Sequence, residues 1–225
     1  MDQLKKIYLA AMDEPLLNAF TQICGDIDLV EIHAGSILEL EVDAVVSPAN
    51  SFGFMDGGID MAYSRHFGWG VQRRLQQKIR QHHQGELLVG TAEIVPTGDD
   101  RIPWLLSAPT MRVPMILTET VTPYLAARAV FLFRNHGLVR EPSMENLPAN
   151  EVVKSIAFPG LGTGVGRVPP STCALQIRRA IEQFLIGSHE FPESWSDAQR
   201  DHQLLYSEST RDLQFDGCSS RPSSE

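Results

Sequence analysis

Strand-like and helix-like segments alternate along the 225-residue sequence, and this alternation constrains the fold more than any other feature. Short apolar runs typical of buried strands lie at 5–13, 28–37, 42–50, 90–97, 103–110 and 152–160. Helical patterns of apolar spacing lie at 14–24, 61–83, 120–137 and 169–187. Because strands that alternate with helices form a largely parallel sheet with helices on both faces, the sequence predicts an α/β fold of three layers.

Two glycine-rich segments, 50–58 and 160–166, follow directly after predicted strands. Ligands of open α/β sheets bind outside the carboxyl ends of the strands. The position of both segments therefore predicts a ligand site at this edge of the sheet.

The second segment belongs to the run FPGLGTGVGRVPP, in which glycine occupies every other position from Gly160 to Gly166. Glycine accepts positive φ angles and lets a ligand approach the backbone closely, and successive amides in such a turn can bind an anion. No Gly-Lys-Ser or Gly-Lys-Thr sequence ends the run, so it is not a P-loop. Taken alone, the run is equally typical of a phosphate-binding loop and of an ordinary connection from strand to helix.

The first segment lies within SPANSFGFMDGGID and combines backbone donors with polar side chains. Asn50 offers an amide to a diol or a carbonyl, and further N–H groups and carboxylates come from Gly57, Gly58, Asp56 and Asp60. The ordinary alternatives are an Asx turn at Asn50, a turn dipeptide at Asp56, and an N-cap or first-turn acid at Asp60. Each alternative alone is better supported than a role in chemistry, but their joint occurrence with a second glycine-rich loop favours a site.

The net charge of −9 is concentrated at the C-terminal end of the chain. From Ser188 onward there are eight acidic and three basic residues, and the apolar periodicity fades. We therefore predict one domain over 1–187 and an acidic, disordered tail over 188–225. An acidic chain without a basic stripe is not expected to bind nucleic acid in general, whereas backbone amides can still bind an anionic small ligand.

Three scattered cysteines, Cys24, Cys173 and Cys218, give neither a disulfide framework nor a metal-binding spacing. Cys24 and Cys173 lie in apolar helical patterns, which favours inert buried thiols. No apolar run reaches the roughly 18 residues needed to span a bilayer, and the N-terminal segment does not resemble a signal peptide. The sequence therefore predicts a cytoplasmic protein with no bound metal, no other cofactor and no membrane partner.

The two glycine-rich segments together resemble the signature of the macro domain family, in a bacterial-type variant. VDAVVSPANSFGFMDGGIDMA is similar to a family motif in which a strand and VDAIVNAAN lead into a glycine-rich loop, and PGLGTGVGRVP is similar to the second loop of that family. The resemblance covers about 30–187, which leaves 1–29 as an N-terminal strand–helix extension. It implies a three-layer α/β/α fold with a mixed, largely parallel sheet that binds ADP-ribose. Many members hydrolyse ADP-ribose derivatives, and others only bind them.

The resemblance also implies roles for individual residues. Asn50 would hold the distal ribose hydroxyls, and Asp60 lies where hydrolytic members have an acid near that ribose. The loop positions assigned to the ligand are Asp56, Gly57, Gly58, Ile59, Gly160, Gly162, Thr163, Gly164, Val165 and Gly166. Arg167 could add a charge-assisted contact to phosphate.

The sequence departs from the family pattern at the expected adenine contact. Ser36 replaces an aspartate that contacts the adenine amino group in many members, and Asp13 is a candidate substitute. Ser47 replaces the first asparagine of the usual pair. Neither loop contains a lysine, so the covalent route of one hydrolase subgroup is not expected.

The resulting hypothesis is hydrolysis of an ADP-ribosyl linkage at the distal ribose, with ADP-ribose or an ADP-ribosylated macromolecule as partner. Asn50 would orient the ribose, and Asp60 would act as general base or stabilise developing positive charge. Two alternatives stay open: a reader module that binds ADP-ribose without turnover, and a binder of another nucleotide or an RNA-end phosphate.

Overall fold

The computed structural model describes residues 4–141, 147–187 and 191–211. The strands are β1 (Lys6–Ala11), β2 (Val30–Ala34), β3 (Ala44–Ser47), β4 (Glu93–Pro96), β5 (Trp104–Ser107), β6 (Leu138–Val139), β7 (Leu147–Pro148) and β8 (Ser155–Phe158). The α-helices are α1 (Glu14–Cys24), α2 (Gly58–Phe67), α3 (Gly70–His82), α4 (Thr122–His136), α5 (Ala149–Val152), α6 (Pro170–Ile181) and α7 (Trp195–Gln203). A 3₁₀ turn at Ile37–Glu39 and a π-helical segment at Glu182–Ile186 complete the helical elements of the described residues.

Six strands form one sheet in the order β2-β1-β8-β3-β5-β4. The neighbours from β2 to β5 are parallel, and β4 runs antiparallel to β5 at the edge. The short strands β3 and β5 are buried along their whole length, as expected for strands with helices on both faces. The predicted α/β fold with a mixed, largely parallel sheet is confirmed.

Each face of the sheet carries its own hydrophobic core. On one face, which we call the α1–α4–α6 core, Phe20 and Phe131 pack with Phe158 of the sheet. On the other, the α2–α3 core, Tyr63 and Leu75 pack with the sheet. A fully buried side chain of this size stabilises a fold by about 1.5–3 kcal/mol, so both layers contribute to stability. The three predicted layers are therefore present.

The two connections of interest are each anchored in a different core. The first loop (residues 48–57, between β3 and α2) places Met55 in the α2–α3 core. The second loop (residues 159–169, between β8 and α6) places Leu161 and Val168 in the α1–α4–α6 core. Both loops thus have fixed bases from which their glycines extend.

The helix predicted over 61–83 is two helices, α2 and α3. Gly68 separates them with a φ of +77°, a left-handed conformation that glycine adopts without strain. The apolar spacing continues across this break, which is why the sequence reads as a single helix.

A buried charge cluster ties α3 to the edge strand β4. Lys78 Nζ donates to the carbonyl of Ile94 at 2.7 Å and lies 2.7 Å from Glu141 Oε1 and 3.7 Å from Glu93 Oε1. His83 Nε2 lies 3.1 Å from the second carboxylate oxygen of Glu93. Since a buried charge is costly without a partner, these contacts make Lys78 a structural residue rather than a solvated one.

The prediction of a disordered tail from Ser188 is wrong for the segment that contains α7. Ser194 caps this helix by accepting a hydrogen bond from the Asp197 N–H at 3.1 Å, a local signal visible in the sequence as Ser-Trp-Ser-Asp. The buried Gln176 of α6 donates to the carbonyl of Leu205 at 3.1 Å, which holds the segment on the domain. Residues 188–190 and 212–225 of the predicted tail lie outside the described residues.

Over the three described ranges, no helix has the length and apolar character required to cross a membrane.

Candidate functional site

A cleft of about 380 Å³ lies where the parallel strands β1, β2, β3, β5 and β8 end. This volume is within the range of small-molecule sites, and the position is that expected for ligands of open α/β sheets. Most of the predicted site residues line it, namely Asn50, Asp56, Gly57, Gly58, Ile59, Asp60, Gly160, Gly162, Thr163, Gly164, Val165 and Gly166. The structure thus brings the two glycine-rich loops together, although more than a hundred residues of sequence separate them.

The second loop presents a row of unbonded amides to the cleft. Within the described residues, the N–H groups of 162–166 donate to no protein acceptor. The turn is held from outside this row, because Val168 N donates to Gly162 O at 3.1 Å and Arg167 N donates to Gly164 O at 3.0 Å. Successive N–H groups without partners form a concave donor surface that suits an anion.

The glycines of the second loop are required by geometry at two positions. Gly162 has a φ of +70°, which other residues rarely adopt. A Cβ on Gly166 would lie 2.5 Å from the backbone carbonyl oxygen of Gly162, so this position admits no side chain unless the backbone of the loop shifts. By contrast, a Cβ on Gly164 would meet no protein atom within 4 Å.

The start of helix α2 adds a second group of donors. Gly57 is the N-cap and provides no side-chain cap, and the amides of 57–59 have no acceptor in the part of the chain that the structure describes. The first N–H groups of any helix lack intrahelical partners and carry the positive end of the helix dipole. Anions bind readily at such an end.

Asn50 holds the first loop in shape. Its Oδ1 accepts hydrogen bonds from Phe52 N at 3.1 Å and Phe54 N at 3.3 Å, and its Nδ2 donates to Phe54 O at 2.9 Å. The Asx-turn alternative is therefore realised at this position. Asn50 also lines the cleft, but most of its hydrogen-bonding capacity is used within the loop.

Asp60 is a buried carboxyl on the first turn of α2, 7% exposed, and it lines the cleft. Ser47 Oγ, at the end of β3, donates a hydrogen bond to Asp60 Oδ1. Burial raises the pKa of Asp60 from its usual value of 3.8 to about 7, and the hydrogen bond from Ser47 opposes this rise. Gly57 is the N-cap, so of the two ordinary alternatives the first-turn acid is the one realised at Asp60. With a pKa of about 7, its proton is nearly balanced between the bound and released states at neutral pH.

At the far end of the cleft, Asp13 and Ser36 both cap helical turns. Asp13 Oδ1 accepts from Leu16 N at 3.0 Å, and Ser36 Oγ accepts from Leu38 N at 3.3 Å. Both residues line the cleft. Asp13 follows β1 and Ser36 follows the neighbouring parallel strand β2, so both lie at the same edge of the sheet.

The cleft contains carboxylates but no cation among its described lining residues. Arg167, a predicted phosphate contact, is exposed and does not line the cleft, so its contact with phosphate stays a prediction. Its φ is +54°, a value that residues other than glycine rarely adopt. An anion in this cleft would be held by backbone dipoles rather than by basic side chains.

A segment that the sequence reading missed joins the two loops. Residues 110–117 follow β5 and contribute Thr110, Met111 and Pro114 to the cleft. The backbone of Arg112 accepts from Ser51 N at 3.2 Å on the first loop, and Leu117 N donates to Gly166 O at 2.7 Å on the second. The available signal in the sequence was PTMRVP, with one proline near the end of the predicted strand and a second after it.

The described residues contain no group of three or more His, Cys, Asp and Glu side chains that could hold a metal ion. Burial raises the pKa of the Cys24 and Cys173 thiols to about 12, which makes both inert. Cys173 Sγ accepts a hydrogen bond from Leu161 N at 3.2 Å and so supports the base of the second loop.

Comparison with known proteins agrees with this architecture. A family model described as Macro domain matches residues 46–177, which include both loops. An uncharacterised protein of Aquifex aeolicus is 30% identical over 155 residues, which are 69% of this chain and 82% of that protein. A macro domain-containing protein of Caldanaerobacter subterraneus subsp. tengcongensis is 29% identical over 164 residues, 71% of this chain and 82% of that protein.

Among solved structures, a mutant of the Oceanobacillus iheyensis macrodomain with ADP-ribose superposes with a TM-score of 0.54. It is 18% identical, and the match covers 76% of this chain and 86% of that chain. At this identity the likeness shows a shared fold.

Proposed function

Because the chain belongs to the macro domain family, we propose that its cleft binds ADP-ribose through the backbone amides of the two loops. The observation that carries this proposal is the row of unbonded N–H groups at 162–166, which shares the cleft with the first-turn amides of α2. A diphosphate offers acceptors to both groups at once. The Oceanobacillus iheyensis macrodomain with ADP-ribose, which has the same fold, supports the choice of ligand.

We propose further that Asp60 makes the protein a hydrolase of ADP-ribosyl linkages at the distal ribose. Asp60 would accept a proton from a water that attacks the anomeric carbon, while the bond from that carbon to the attached group breaks and the departing group takes up a proton. A positioned general base of this kind contributes a factor of about 10²–10⁴ to the rate. A pKa of about 7 suits the role, because the group must both accept and release a proton near neutral pH.

Asn50 would act mainly by fixing the first loop around the distal ribose. Its remaining amide N–H could reach a ribose hydroxyl, while its other contacts hold the backbone of 52–54. Asp13 would accept a hydrogen bond from an amino group on the base, in place of the aspartate that Ser36 replaces.

The test combines calorimetric titration with ADP-ribose and hydrolysis assays on several linkage types. Asp60→Asn keeps the shape of the side chain and should abolish turnover while ADP-ribose affinity stays within about threefold. Asp100→Asn removes an exposed carboxyl outside the cleft and serves as the matched control. Full turnover by Asp60→Asn would exclude Asp60 as the base, and failure to bind ADP-ribose at high micromolar concentration would refute the binding proposal.

A reader module without turnover is the second candidate. The hydrogen bonds that occupy Asn50 and the deep burial of Asp60 favour it, because both groups could serve structure alone. Binding without hydrolysis of any linkage tested would identify this function.

A different nucleotide or an RNA-end phosphate is the third candidate, and Ser36 is the observation that favours it. Titrations with ADP-ribose, ADP and AMP would rank these ligands. An ADP-ribosylated macromolecular partner and a cytoplasmic location remain predictions from the sequence.

A further inference from the structure

Ser47, the last residue of β3, has no exposed surface and is not part of the cleft lining. Its hydroxyl donates a hydrogen bond to Asp60 Oδ1, and Asp60 does line the cleft. A ligand can therefore contact Asp60 but not Ser47. Any effect of Ser47 on a bound substrate must pass through the carboxyl of Asp60.

Within the described residues, the Ser47 hydroxyl is the one hydrogen-bond donor to the Asp60 carboxyl. The titratable group that faces Asp60 on α2 is Tyr63, whose hydroxyl donates instead to a β3 carbonyl at 3.0 Å. From β5 the neighbour across the sheet is Ser107, and from the first loop Asp56 lies on the same cleft. Two cations of α3 donate to carbonyls of β4 rather than to Asp60.

We propose that Ser47 is a positioning residue for the hydrolysis, holding Asp60 Oδ1 against β3 and leaving Oδ2 to accept the proton of the attacking water. The inference rests on the proposed function. A hydroxyl that donates to a carboxyl stabilises the ionised form, and a general base must be ionised to act. Ser47 therefore sets both the orientation of Asp60 and the fraction of it that is reactive.

The consequence is a defined pH dependence. Burial raises the pKa of Asp60 to about 7, and the Ser47 hydrogen bond opposes that rise. Ser47→Ala removes the opposing contribution, so Asp60 ionises at a higher pH in that variant. A midpoint that is higher by one pH unit lowers the ionised fraction on the acid side about tenfold, so turnover of Ser47→Ala falls on the acid side and recovers on the alkaline side.

The experiment is the pH profile of kcat and KM between about pH 5 and 9 for the full chain and three variants. Ser47→Ala should move the acid-side midpoint of kcat up by about one pH unit, with KM unchanged. Ser47→Cys keeps the shape and a weak S–H donor, so an intermediate midpoint is expected. Ser107→Ala is the matched control, since Ser107 pairs with Ser47 across the sheet, is equally buried, and has a hydroxyl without a hydrogen-bond partner among the described residues.

The outcomes separate the two proposals. A Ser47→Ala variant whose kcat falls equally at every pH would reveal a merely structural role and overturn this inference, while hydrolysis by Asp60 would stand. Full turnover by Asp60→Asn would overturn both. If Ser47→Ala does not fold, the Asp60 carboxyl carbon is titrated by NMR in the wild type and in Ser47→Cys. Its signal is assigned by its loss in Asp60→Asn. Equal midpoints in the two proteins would overturn the inference.

Discussion

Asp60→Asn is expected to stabilise the folded protein at alkaline pH. The carboxyl is buried, and burial raises its pKa from 3.8 to about 7. In the unfolded chain the same carboxyl ionises near its usual value, so folding above neutral pH places a charge in a site with little water. A pKa difference of about 3 corresponds to about 4 kcal/mol, since each unit is worth about 1.4 kcal/mol.

The sign follows from proton binding. The folded state holds a proton that the unfolded state releases once the pH passes about 4, because the folded pKa of Asp60 is the higher one. The stability that this group contributes is therefore fully present below about pH 4 and is lost as the pH rises through about 7. Asparagine is neutral and keeps an oxygen that can accept from Ser47, so the variant lacks this dependence.

Urea unfolding of wild type and Asp60→Asn at about pH 5 and pH 8.5 measures the effect. The increase in free energy of unfolding from wild type to Asp60→Asn should be about 3 kcal/mol larger at the higher pH. This corresponds to a difference of about 6–12 °C in Tm for a domain of this size. Taking the difference between the two proteins cancels the pH effects that come from the rest of the chain. Parallel pH dependences in the two proteins would refute the idea that the fold buries an ionising carboxyl at this position.

Three further substitutions test the site and the fold. Gly164→Val should weaken ADP-ribose binding by at least about tenfold in calorimetry with Tm within about 2 °C, because a Cβ there lines the cleft but meets no protein atom within 4 Å. Arg167→Gly should leave the affinity for ADP-ribose within about twofold, because Arg167 lies outside the cleft. It should raise the free energy of unfolding by about 1 kcal/mol, because a φ of +54° strains a residue other than glycine. A large loss of affinity would support a contact of Arg167 with phosphate. Lys78→Ala should lower the free energy of unfolding by about 3–5 kcal/mol because it removes the lysine that pairs with both Glu93 and Glu141 in the buried cluster. The exposed Arg80→Ala on the same helix should change it by less than about 0.5 kcal/mol, and equal effects of the two would contradict the buried cluster.

The sheet and both loops could be predicted from local pattern. The strands β3 and β5 are buried on both faces, and strands of this kind are recognisable in the sequence as continuous apolar runs. The glycines of the two loops were informative because both glycine-rich segments come directly after predicted strands. The meeting of the loops followed from the rule that ligands bind at the carboxyl ends of strands.

The sequence is least informative where long-range contacts decide the outcome. The burial of Lys78 depends on the carbonyl of Ile94 and the carboxylate of Glu93 in β4, which are distant in sequence. Arg167 has a φ of +54° and does not line the cleft, which residue type alone does not reveal. Helix α7 is mostly polar, with Trp195 and Ala198 as its apolar residues, and the contact of Gln176 with the segment after it is not visible in the local pattern.

Asn50 illustrates a different limit. The family resemblance predicts a ligand contact for Asn50, and the structure places Asn50 in the lining of the cleft, yet its amide is largely bonded to the backbone of 52–54. One side chain can shape a loop and contact a ligand, and a motif does not separate these contributions.

The anchoring of the two loops in different hydrophobic cores gives ligand binding a mechanical consequence. Met55 belongs to one layer, and Leu161 and Val168 belong to the other. A ligand held by amides of both loops cross-links the layers, so neither can open locally without releasing it. Saturation with ligand should therefore slow amide hydrogen exchange in α3 and α6 alike, although neither helix lines the cleft, and the two faces of the sheet would unfold more nearly as one unit.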